Sequence, residues 1–255
     1  HNSKQNKFLK KLKQNYSIQN IRENLDQLKD LRVLLVGEAI IDEYIFCDSV
    51  GKSGKEPILV SKRIRSENYA GGVLSVANHV SEFCNKVKVL TYLGDRDNRK
   101  QFILENLSGN IDFDFIEKND SPTILKTRYI DDYSKTKIQG IYDLNDENLN
   151  EMEEKDFLIK LSSCVEDYDL VIVVDYGHGL ITPNIVETLE NKAAFLAVNT
   201  QLNSFNAAFH SISKYKRADY VCVHSGELRH DYRNRNDEIE SLTGKLSKRV
   251  NSKFV

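Results

Sequence analysis

The chain has 255 residues, of which 40% are hydrophobic and 29% charged, with 12 glycines and 3 prolines. This length and composition exclude a disordered, collagen-like or proline-rich protein, and they suffice for a large apolar core. The formal net charge of −2 leaves no broad basic surface, so a nucleic-acid partner is not expected.

Cysteine spacing and the lack of a long apolar run predict the cellular compartment of the protein. The four cysteines form no C-x-x-C pattern, so we predict buried free thiols in a reducing cytoplasm. No apolar stretch approaches the roughly 18 residues of a membrane span, and no apolar signal segment follows the first lysines. We expect a cytoplasmic protein without a membrane partner. The cysteines are Cys47, Cys84, Cys164 and Cys222.

Residues 1–31 are predicted to form an N-terminal tail and helix outside the main domain. Residues 1–13 carry five lysines and no acid, a pattern typical of a solvated tail rather than a binding arm. Apolar residues from Ile18 to Leu31 follow helical spacing, which predicts a helix packed beside the main domain.

Residues 32–255 alternate between strand-like and helix-like patterns. Short apolar runs predict strands buried on both faces, and the amphipathic stretches between them predict helices. This alternation predicts an α/β fold with right-handed βαβ units and a mainly parallel sheet covered on both faces. The predicted strands are 33–36, 87–92, 169–174, 195–198 and 219–223, and the predicted helices are about 73–84, 96–107, 152–163 and 183–192.

Two stretches depart from that alternation. Residues 58–69 and 124–142 alternate apolar and polar side chains, with a turn near Asp131 and Asp132. They are predicted to be half-buried antiparallel strands of a small β-sheet lid, near 44–69 and 124–142, carried outside the main sheet. No repeat or linker interrupts residues 32–255, so we predict one α/β domain with a β-lid.

Polar residues follow several predicted strands, at the edge where open parallel sheets bind ligands. Asp42 and Asp175 can accept sugar hydroxyls, but an Asp near a strand end is also a common cap. Gly71 and Gly72 precede a helix, where backbone N–H groups can meet a ligand, or they form an ordinary tight turn. No HExxH, GxSxG or P-loop motif is present, so metalloprotease, serine-hydrolase and Walker-type ATPase functions have no support.

Three basic side chains are candidates for binding an anion. Lys126 and Arg128 lie two apart on a predicted strand, so they face the same side and can clamp an anionic group or form a solvated face. His178 can donate to a phosphate, or it is a partly exposed turn residue.

The order of several segments resembles the ribokinase-like, or pfkB, carbohydrate kinases. Within them, the chain looks most like the bacterial heptose-phosphate-kinase-like sugar kinases, often fused to a nucleotidyltransferase and working in surface-glycan precursor synthesis. The resemblance extends from about residue 32 to the end. The segments are VGEAIIDEY (36–44), AGGVLSVANHV (70–80), LGD (93–95), TILKTRYI (123–130), VVDYGHGLIT (173–182), AVNTQ (197–201) and VCVHSGE (221–227).

This resemblance implies a three-layer ribokinase-like sandwich and ATP- and Mg²⁺-dependent phosphorylation of a sugar or sugar phosphate. Asp42, Gly71, Gly72 and Ser75 would hold the sugar, with Ser75 standing where the family usually has Asn. The resemblance also assigns further residues to the substrate, to ATP or to the metal. Lys126, Arg128, Asp175 and His178 would contact the substrate, Asn199, His224 and Glu227 would contact ATP phosphates, and Glu227 would order the metal.

Several positions depart from the family pattern. His178 replaces a lysine, residues 199–201 stand where D-P-K is common, and His224 replaces an Asn. The glycine-rich G-A-G-D element, which supplies the catalytic base in the family, does not occur in the 255 residues. We therefore expect an N-terminal, substrate-binding part that is inactive alone. The alternative is a non-catalytic module that binds a sugar phosphate or nucleotide sugar.

The alternating lid strands would expose an edge and one apolar face, which a partner usually covers. We therefore predict a homodimer through 58–69 and 124–142.

Overall fold

The computed structural model describes residues 3–207, 209–252, 254 and 255. Helices and strands alternate through most of this chain. In chain order they are α1 (Ser3–Asn15), α2 (Ile18–Gln27), β1 (Arg32–Gly37), β2 (Ala39–Lys52), β3 (Leu59–Gly72), α3 (Val73–Ser81), β4 (Lys86–Gly94), α4 (Lys100–Asn106), β5 (Ile111–Lys118), β6 (Ile124–Asp131), β7 (Lys137–Asp143), α5 (Glu151–Cys164), β8 (Leu170–Asp175), α6 (Pro183–Lys192), β9 (Leu196–Thr200), β10 (Tyr220–Cys222), α7 (Ser225–Asp231) and α8 (Ile239–Arg249).

Six strands form the central sheet in the order β10-β9-β8-β1-β4-β5, and all neighbouring pairs are parallel. The core lies on both faces of this sheet. On β1, Leu34 and Val36 join one apolar cluster, whereas Val33 and Leu35 join the other. A strand that is buried on both faces needs a continuous apolar run. The predicted α/β fold with a parallel sheet covered on both faces is confirmed.

Local capping explains where two of the covering helices begin. Asn150 accepts hydrogen bonds from the first backbone N–H groups of α5, and Glu153 reaches back to the N–H of Asn150. Thr182 caps α6, and Pro183 occupies the first helical position, where no N–H is needed.

Strand β5 and helices α7 and α8 were not predicted. Strand β5 alternates apolar residues with Asp112 and Asp114, and aspartate is unfavourable in strands. Both carboxylates lie beside the ammonium of Lys88 on the neighbouring strand β4, at 2.7 and 3.7 Å. This cross-strand pairing offsets the low strand propensity of the two aspartates.

A second sheet forms the lid, in the order β3-β2-β6-β7. Its outer pairs are antiparallel, but the central pair β2 and β6 is parallel, unlike the expected antiparallel arrangement. Most of β3 is exposed rather than half-buried, because the strand extends away from the central sheet. Strand β2 begins two residues after β1, so the lid rises directly from the carboxyl end of the central sheet.

The N-terminal region differs from the prediction. The described part of the lysine-rich segment is helix α1 rather than an irregular tail. No residue of α2 is buried, so this helix does not pack beside the main domain. Packing begins only at Leu28 and Leu31, which lie against the apolar cluster on one face of the sheet.

The cysteines are free thiols, but not all of them are buried. Cys47 and Cys84 are buried, Cys164 is half-buried, and Cys222 is exposed because it lies on the short strand β10 at the edge of the central sheet. Within the described ranges, the helices are too short or too polar to cross a bilayer.

Candidate functional site

A cavity of about 380 Å³ lies between the lid and the carboxyl end of the central sheet. We call it the lid cleft. It brings together the candidates from β2, β3 and β6, together with side chains of β7 and of the loops after β8 and β9. Its lining residues are Ile40, Asp42, Tyr44, Gly72, Lys126, Arg128, Lys137, Tyr142, Tyr176, Gln201, Asn203 and Ser204.

Asp42 lies beside the basic side chains of the lid cleft. The lid register places it directly opposite Lys126, and its carboxylate accepts a hydrogen bond from the guanidinium of Arg128. Burial disfavours the charged form of Arg128, but the hydrogen bond and the charge of Asp42 outweigh it and raise the pKa of the guanidinium. The carboxylate and the guanidinium are both partly exposed to the cleft, so a ligand can reach them.

Two glycines at the end of β3 leave room for atoms of neighbouring residues beside the lid cleft. A Cβ on Gly71 would overlap a carboxylate oxygen of Asp42, so only glycine leaves room for that side chain. Gly72 has a φ of 59° and caps α3, and a Cβ there would overlap the carbonyl oxygen of Glu38. The glycine pair therefore has a specific steric reason, beyond that of an ordinary turn.

Lys126 is the most deeply placed cation of the lid cleft. Its side chain is 7% exposed, and its ammonium lies 5.7 and 5.5 Å from the ring centroids of Tyr142 and Tyr176. Burial lowers the pKa of Lys126, and the nearby carboxylate of Asp42 partly opposes that shift. A cation held in such a low-dielectric wall interacts strongly with an anionic ligand.

Ser75 lies beside the cleft rather than inside it. It is exposed on α3 and lines a neighbouring depression of about 490 Å³ that also contains Asp42 and Gly71. The two cavities share the Asp42 carboxylate.

Asp175 belongs to a different environment, a set of buried groups beneath the loop after β8. Its carboxylate has no exposed surface, accepts a hydrogen bond from Tyr215 at 2.7 Å, and lies 2.6 Å from the Lys214 ammonium. The carboxylate of Glu38, also fully buried, accepts hydrogen bonds from the backbone N–H groups of Tyr176 and His178. We call Glu38, Asp175, Lys214 and Tyr215 the buried network.

Burial and the charges within the buried network shift the pKa values of two of its members, Glu38 and Tyr215. Burial, followed by the nearby charge of Asp175, raises the pKa of Glu38 from its usual 4.5 to about 7. Burial also raises the pKa of Tyr215, which the Asp175 carboxylate raises further. The expected contact of Asp175 with substrate does not fit this position, because its oxygens are committed inside the protein.

His178 likewise does not line the lid cleft. Its side chain is fully buried, and neither ring nitrogen has a hydrogen-bond partner among the described residues. Burial above all, and then the nearby Lys126 charge, lower the pKa of His178 to about 3. A neutral, buried imidazole cannot attract a phosphate by charge, so the expected role in phosphate binding is not supported.

A further cavity of about 410 Å³ lies against the loop 175–181, on its side toward residues 205–214. It includes the exposed part of Lys214 and the edge of Gly177 and Gly179, both with positive φ. Its acidic lining residues, Asp146, Glu147 and the buried Asp175, make it less suited to an anion than the lid cleft.

The three residues expected to contact ATP are engaged in local structure. Both carboxylate oxygens of Glu227 accept backbone N–H groups, from Leu202 at 3.0 Å and His224 at 2.7 Å. His224 caps α7, and the Asn199 amide donates to the carbonyl of Cys222 at 2.8 Å. In the part of the chain that the structure describes, no cluster of three His, Cys, Asp or Glu side chains can hold a metal. The described residues therefore form no all-protein metal site, which Mg²⁺ beside substrate phosphates does not require.

Sequence reasoning missed several cleft residues. Tyr142 and Tyr176 were inside segments already singled out, 124–142 and DYGHG, but their rings were not recognised as walls of the site. Gln201 and Asn203 follow β9, and the rule that ligands bind beyond strand ends already pointed to Gln201. Asn203 carried no signal, because its position depends on the course of the loop.

No protein-family model matches the chain. The chain is 27% identical over 227 residues to the bifunctional protein HldE of Campylobacter jejuni subsp. doylei, covering 89% of this chain and 46% of that protein. It is 28% identical over 156 residues to HldE of Haemophilus influenzae strain PittEE, covering 61% and 32%. The chain thus spans about half the length, or less, of these curated relatives.

Solved structures support the fold. Phosphofructokinase-2 from Escherichia coli, in complex with fructose-6-phosphate, superposes with a TM-score of 0.66 at 10% identity, over 88% of this chain and 72% of that one. Ribokinase from Arabidopsis thaliana, complexed with ribose and ATP, gives a TM-score of 0.60 at 14% identity, over 88% and 70%. At these identities the likeness concerns the fold, which is ribokinase-like.

Proposed function

We propose that the chain is a ribokinase-like carbohydrate kinase whose lid cleft binds a sugar phosphate of surface-glycan precursor metabolism for phosphorylation by ATP. The observation that carries this proposal is the contact of Asp42 with Arg128 beside the buried Lys126, over the glycine pair. A carboxylate accepts sugar hydroxyls, whereas an Arg and a Lys on the same face match a phosphate.

The proposed roles follow from position. Asp42 orients the sugar through its hydroxyl groups, Gly71 and Gly72 let the ring approach the backbone, and Ser75 contacts its edge. Lys126 and Arg128 hold the existing phosphate. Tyr142 and Tyr176 form the walls of the cleft and exclude water from the Lys126 ammonium.

ATP and Mg²⁺ are part of this proposal only through the family. Asn199, His224 and Glu227 remain the proposed contacts of the ATP phosphates, although each already makes a local hydrogen bond. We derive no step through Mg²⁺, because no cluster of three metal-binding side chains is found among the described residues. That the 255 residues alone do not catalyse stays a prediction, which rests on the lack of a G-A-G-D sequence. An assay for ATP-dependent sugar phosphorylation tests it.

Calorimetric titration with a sugar and its phosphate tests the site. Lys126→Met should weaken binding of the phosphorylated sugar about tenfold and leave binding of the unphosphorylated sugar unchanged, since it removes one charge-assisted contact. Lys155→Met, at an exposed position on α5, is the matched control and should change neither affinity. Equal losses for both sugars would contradict the assignment of Lys126 to the phosphate.

The second candidate function is a non-catalytic module that binds a sugar phosphate or nucleotide sugar. The observation that favours it is the commitment of both Glu227 oxygens to backbone N–H groups, which leaves that carboxylate poorly placed to order a metal. Titration with ATP in the presence of Mg²⁺ separates the candidates. Binding of ATP beside a bound sugar phosphate favours the kinase, and sugar-phosphate binding without ATP binding favours the module.

The proposed homodimer uses the exposed side of the lid. Several large apolar residues of the lid strands and their connection are exposed there, including Leu59 at 75%. Ile64→Lys should shift the sedimenting species to monomer, because it places charges inside the buried interface. Ile159→Lys, at an exposed apolar residue of α5, should not. A wild-type monomer at micromolar concentration would contradict the dimer.

A further inference from the structure

Helix α1 is strongly basic in a chain whose net charge is negative. Residues 1–22 contain five lysines, one arginine and no acid, and the first carboxylate of the chain is Glu23. The whole chain has a formal net charge of −2. Positive charge is thus concentrated at this end. The lysines of α1 whose side chains the structure describes, Lys7, Lys10, Lys11 and Lys13, are all exposed.

The same helix carries an apolar face. Phe8, Leu9, Leu12 and Tyr16 follow helical spacing, so they lie on one side of α1 and its C-terminal end. Phe8 is 64% exposed, and of the four only Leu12 is half-buried.

Helix α2 continues the apolar face but not the basic charge, since it carries Arg22 together with Glu23 and Asp26. Ser17 caps it and forms a reciprocal capping box with Asn20, so the helix start is locally stabilised. Ile18, Ile21 and Leu25 follow helical spacing and all are exposed, Ile18 by 73%. Burying such side chains stabilises a folded core, and the fold leaves these three exposed.

A core-facing helix of this protein behaves differently. In α6, the apolar residues Ile185, Val186 and Leu189 are all buried against the central sheet. The apolar residues of α1 and α2 therefore have the pattern of a packed face without the packing. Packing against the apolar cluster of the central sheet begins only at Leu28, after α2 has ended.

We propose that α1 and α2 bind in the plane of a membrane surface rich in anionic phospholipid. The apolar side chains enter the boundary between headgroups and acyl chains, and the contact with anionic lipid phosphates falls to the lysines of α1. A basic amphipathic helix with aromatic and aliphatic residues on its apolar face binds membranes in this way. Helix α1 is 13 residues long, or roughly 20 Å, which is too short to span a bilayer.

The apolar face decides between possible anionic partners. Lysines alone would also suit a nucleic acid, but a nucleic acid offers no apolar layer for Phe8 or Ile18. A membrane supplies both negative charge and an apolar phase. This revises the expectation that the chain has no membrane partner, and it does not depend on the proposed sugar site.

Vesicle flotation of the full chain tests the proposal. The wild type should float with vesicles of phosphatidylcholine and phosphatidylglycerol and remain unbound with phosphatidylcholine alone. Each lysine near an anionic surface contributes about a fivefold change in affinity, so K7Q/K10Q/K11Q should lower binding on the order of a hundredfold. Phe8→Ser with Leu12→Ser should also abolish flotation while leaving the charge unchanged. The matched control K86Q/K155Q/K248Q changes exposed lysines elsewhere and should bind normally.

Three results would overturn the proposal. They are no flotation with anionic vesicles, equal loss in the control, and self-association that α1 variants abolish while lipid binding is absent. Binding of a DNA duplex that the Phe8→Ser, Leu12→Ser variant retains would assign the lysines to nucleic acid instead. Far-UV circular dichroism and the thermal midpoint of each variant distinguish lost binding from lost folding.

Discussion

The lid cleft and the buried network contain similar residue types but place them in opposite environments. Asp42 in the cleft is partly exposed and its guanidinium partner can be reached by a ligand, whereas Asp175 in the network is fully buried. In sequence, each aspartate follows an apolar run, residues 39–41 before Asp42 and residues 170–174 before Asp175. The comparison teaches that a carboxylate after an apolar run serves ligand binding or folding according to whether the fold leaves its oxygens accessible.

Asp175→Ala should have the largest effect, and the effect should be on stability. It leaves the buried Tyr215 hydroxyl without its acceptor and removes the partner of Lys214. We expect the free energy of unfolding to fall by about 2–4 kcal/mol in urea titrations. Asp42→Ala should lower it by less than about 1 kcal/mol, since its pair with Arg128 is partly exposed. Equal losses would remove the distinction between the two regions.

Asp42→Ala should instead act on ligand binding. If Asp42 holds sugar hydroxyls as proposed, its loss removes charge-assisted hydrogen bonds and should weaken sugar-phosphate binding about 30- to 100-fold in calorimetry. Glu43→Ala is the matched control. Glu43 lies on the opposite face of β2, where it accepts a hydrogen bond from Thr127 at 2.8 Å. Its removal should leave the affinity unchanged. An equal loss in both variants would indicate a general disturbance of the lid.

Sequence patterns predicted the strands of the central sheet and several residues of the lid cleft. They did not predict which of the candidate side chains are accessible to a ligand. The apolar runs predicted the parallel core because strands buried on both faces need them. Alternation on the lid placed Lys126 and Arg128 on one face, and the structure brings both to Asp42. Asp175 is buried against Tyr215 and Lys214, which lie about 40 residues further along the chain. No local pattern carries that information, so the same DYGHG segment was assigned to substrate.

Glu38→Gln probes the titration of the buried network. A carboxyl group whose pKa is raised on folding binds more protons in the folded state, between pH 4.5 and about 7, than in the unfolded state. The stability it contributes is therefore present below about pH 4.5 and lost as the pH rises through about 7. We expect the stability difference between wild type and Glu38→Gln to fall by on the order of 1–3 kcal/mol between pH 4.5 and 7.5.

Taking the difference between two proteins cancels the other titrating groups, including His178, whose lowered pKa acts in the opposite direction. Glu43→Gln, which makes the same substitution at a half-exposed position of β2, is the matched control. A constant difference for Glu38→Gln across this pH range would mean that Glu38 is ionised throughout.

His178→Leu should have the smallest effect at neutral pH. The two ring nitrogens are buried without a partner, so an apolar side chain of similar size removes polar groups that gain nothing from folding. We expect the free energy of unfolding at pH 7.5 to stay the same or rise by up to about 1 kcal/mol. His230→Leu, at an exposed position on α7, is the matched control for the loss of a histidine side chain.

The effect of His178→Leu at neutral pH is small, but the direction in which the stability difference from wild type changes with pH tests whether His178 is neutral in the folded state. Wild-type His178 stays neutral in the folded state down to about pH 3, while the unfolded chain takes up a proton below about pH 6.5. Wild type should therefore lose stability relative to His178→Leu as the pH falls from 6.5. If the variant is instead destabilised by more than about 2 kcal/mol at pH 7.5, the ring nitrogens have partners that hold the loop. His178 would then be part of the same buried network as Glu38, rather than an apolar spacer beneath the lid cleft.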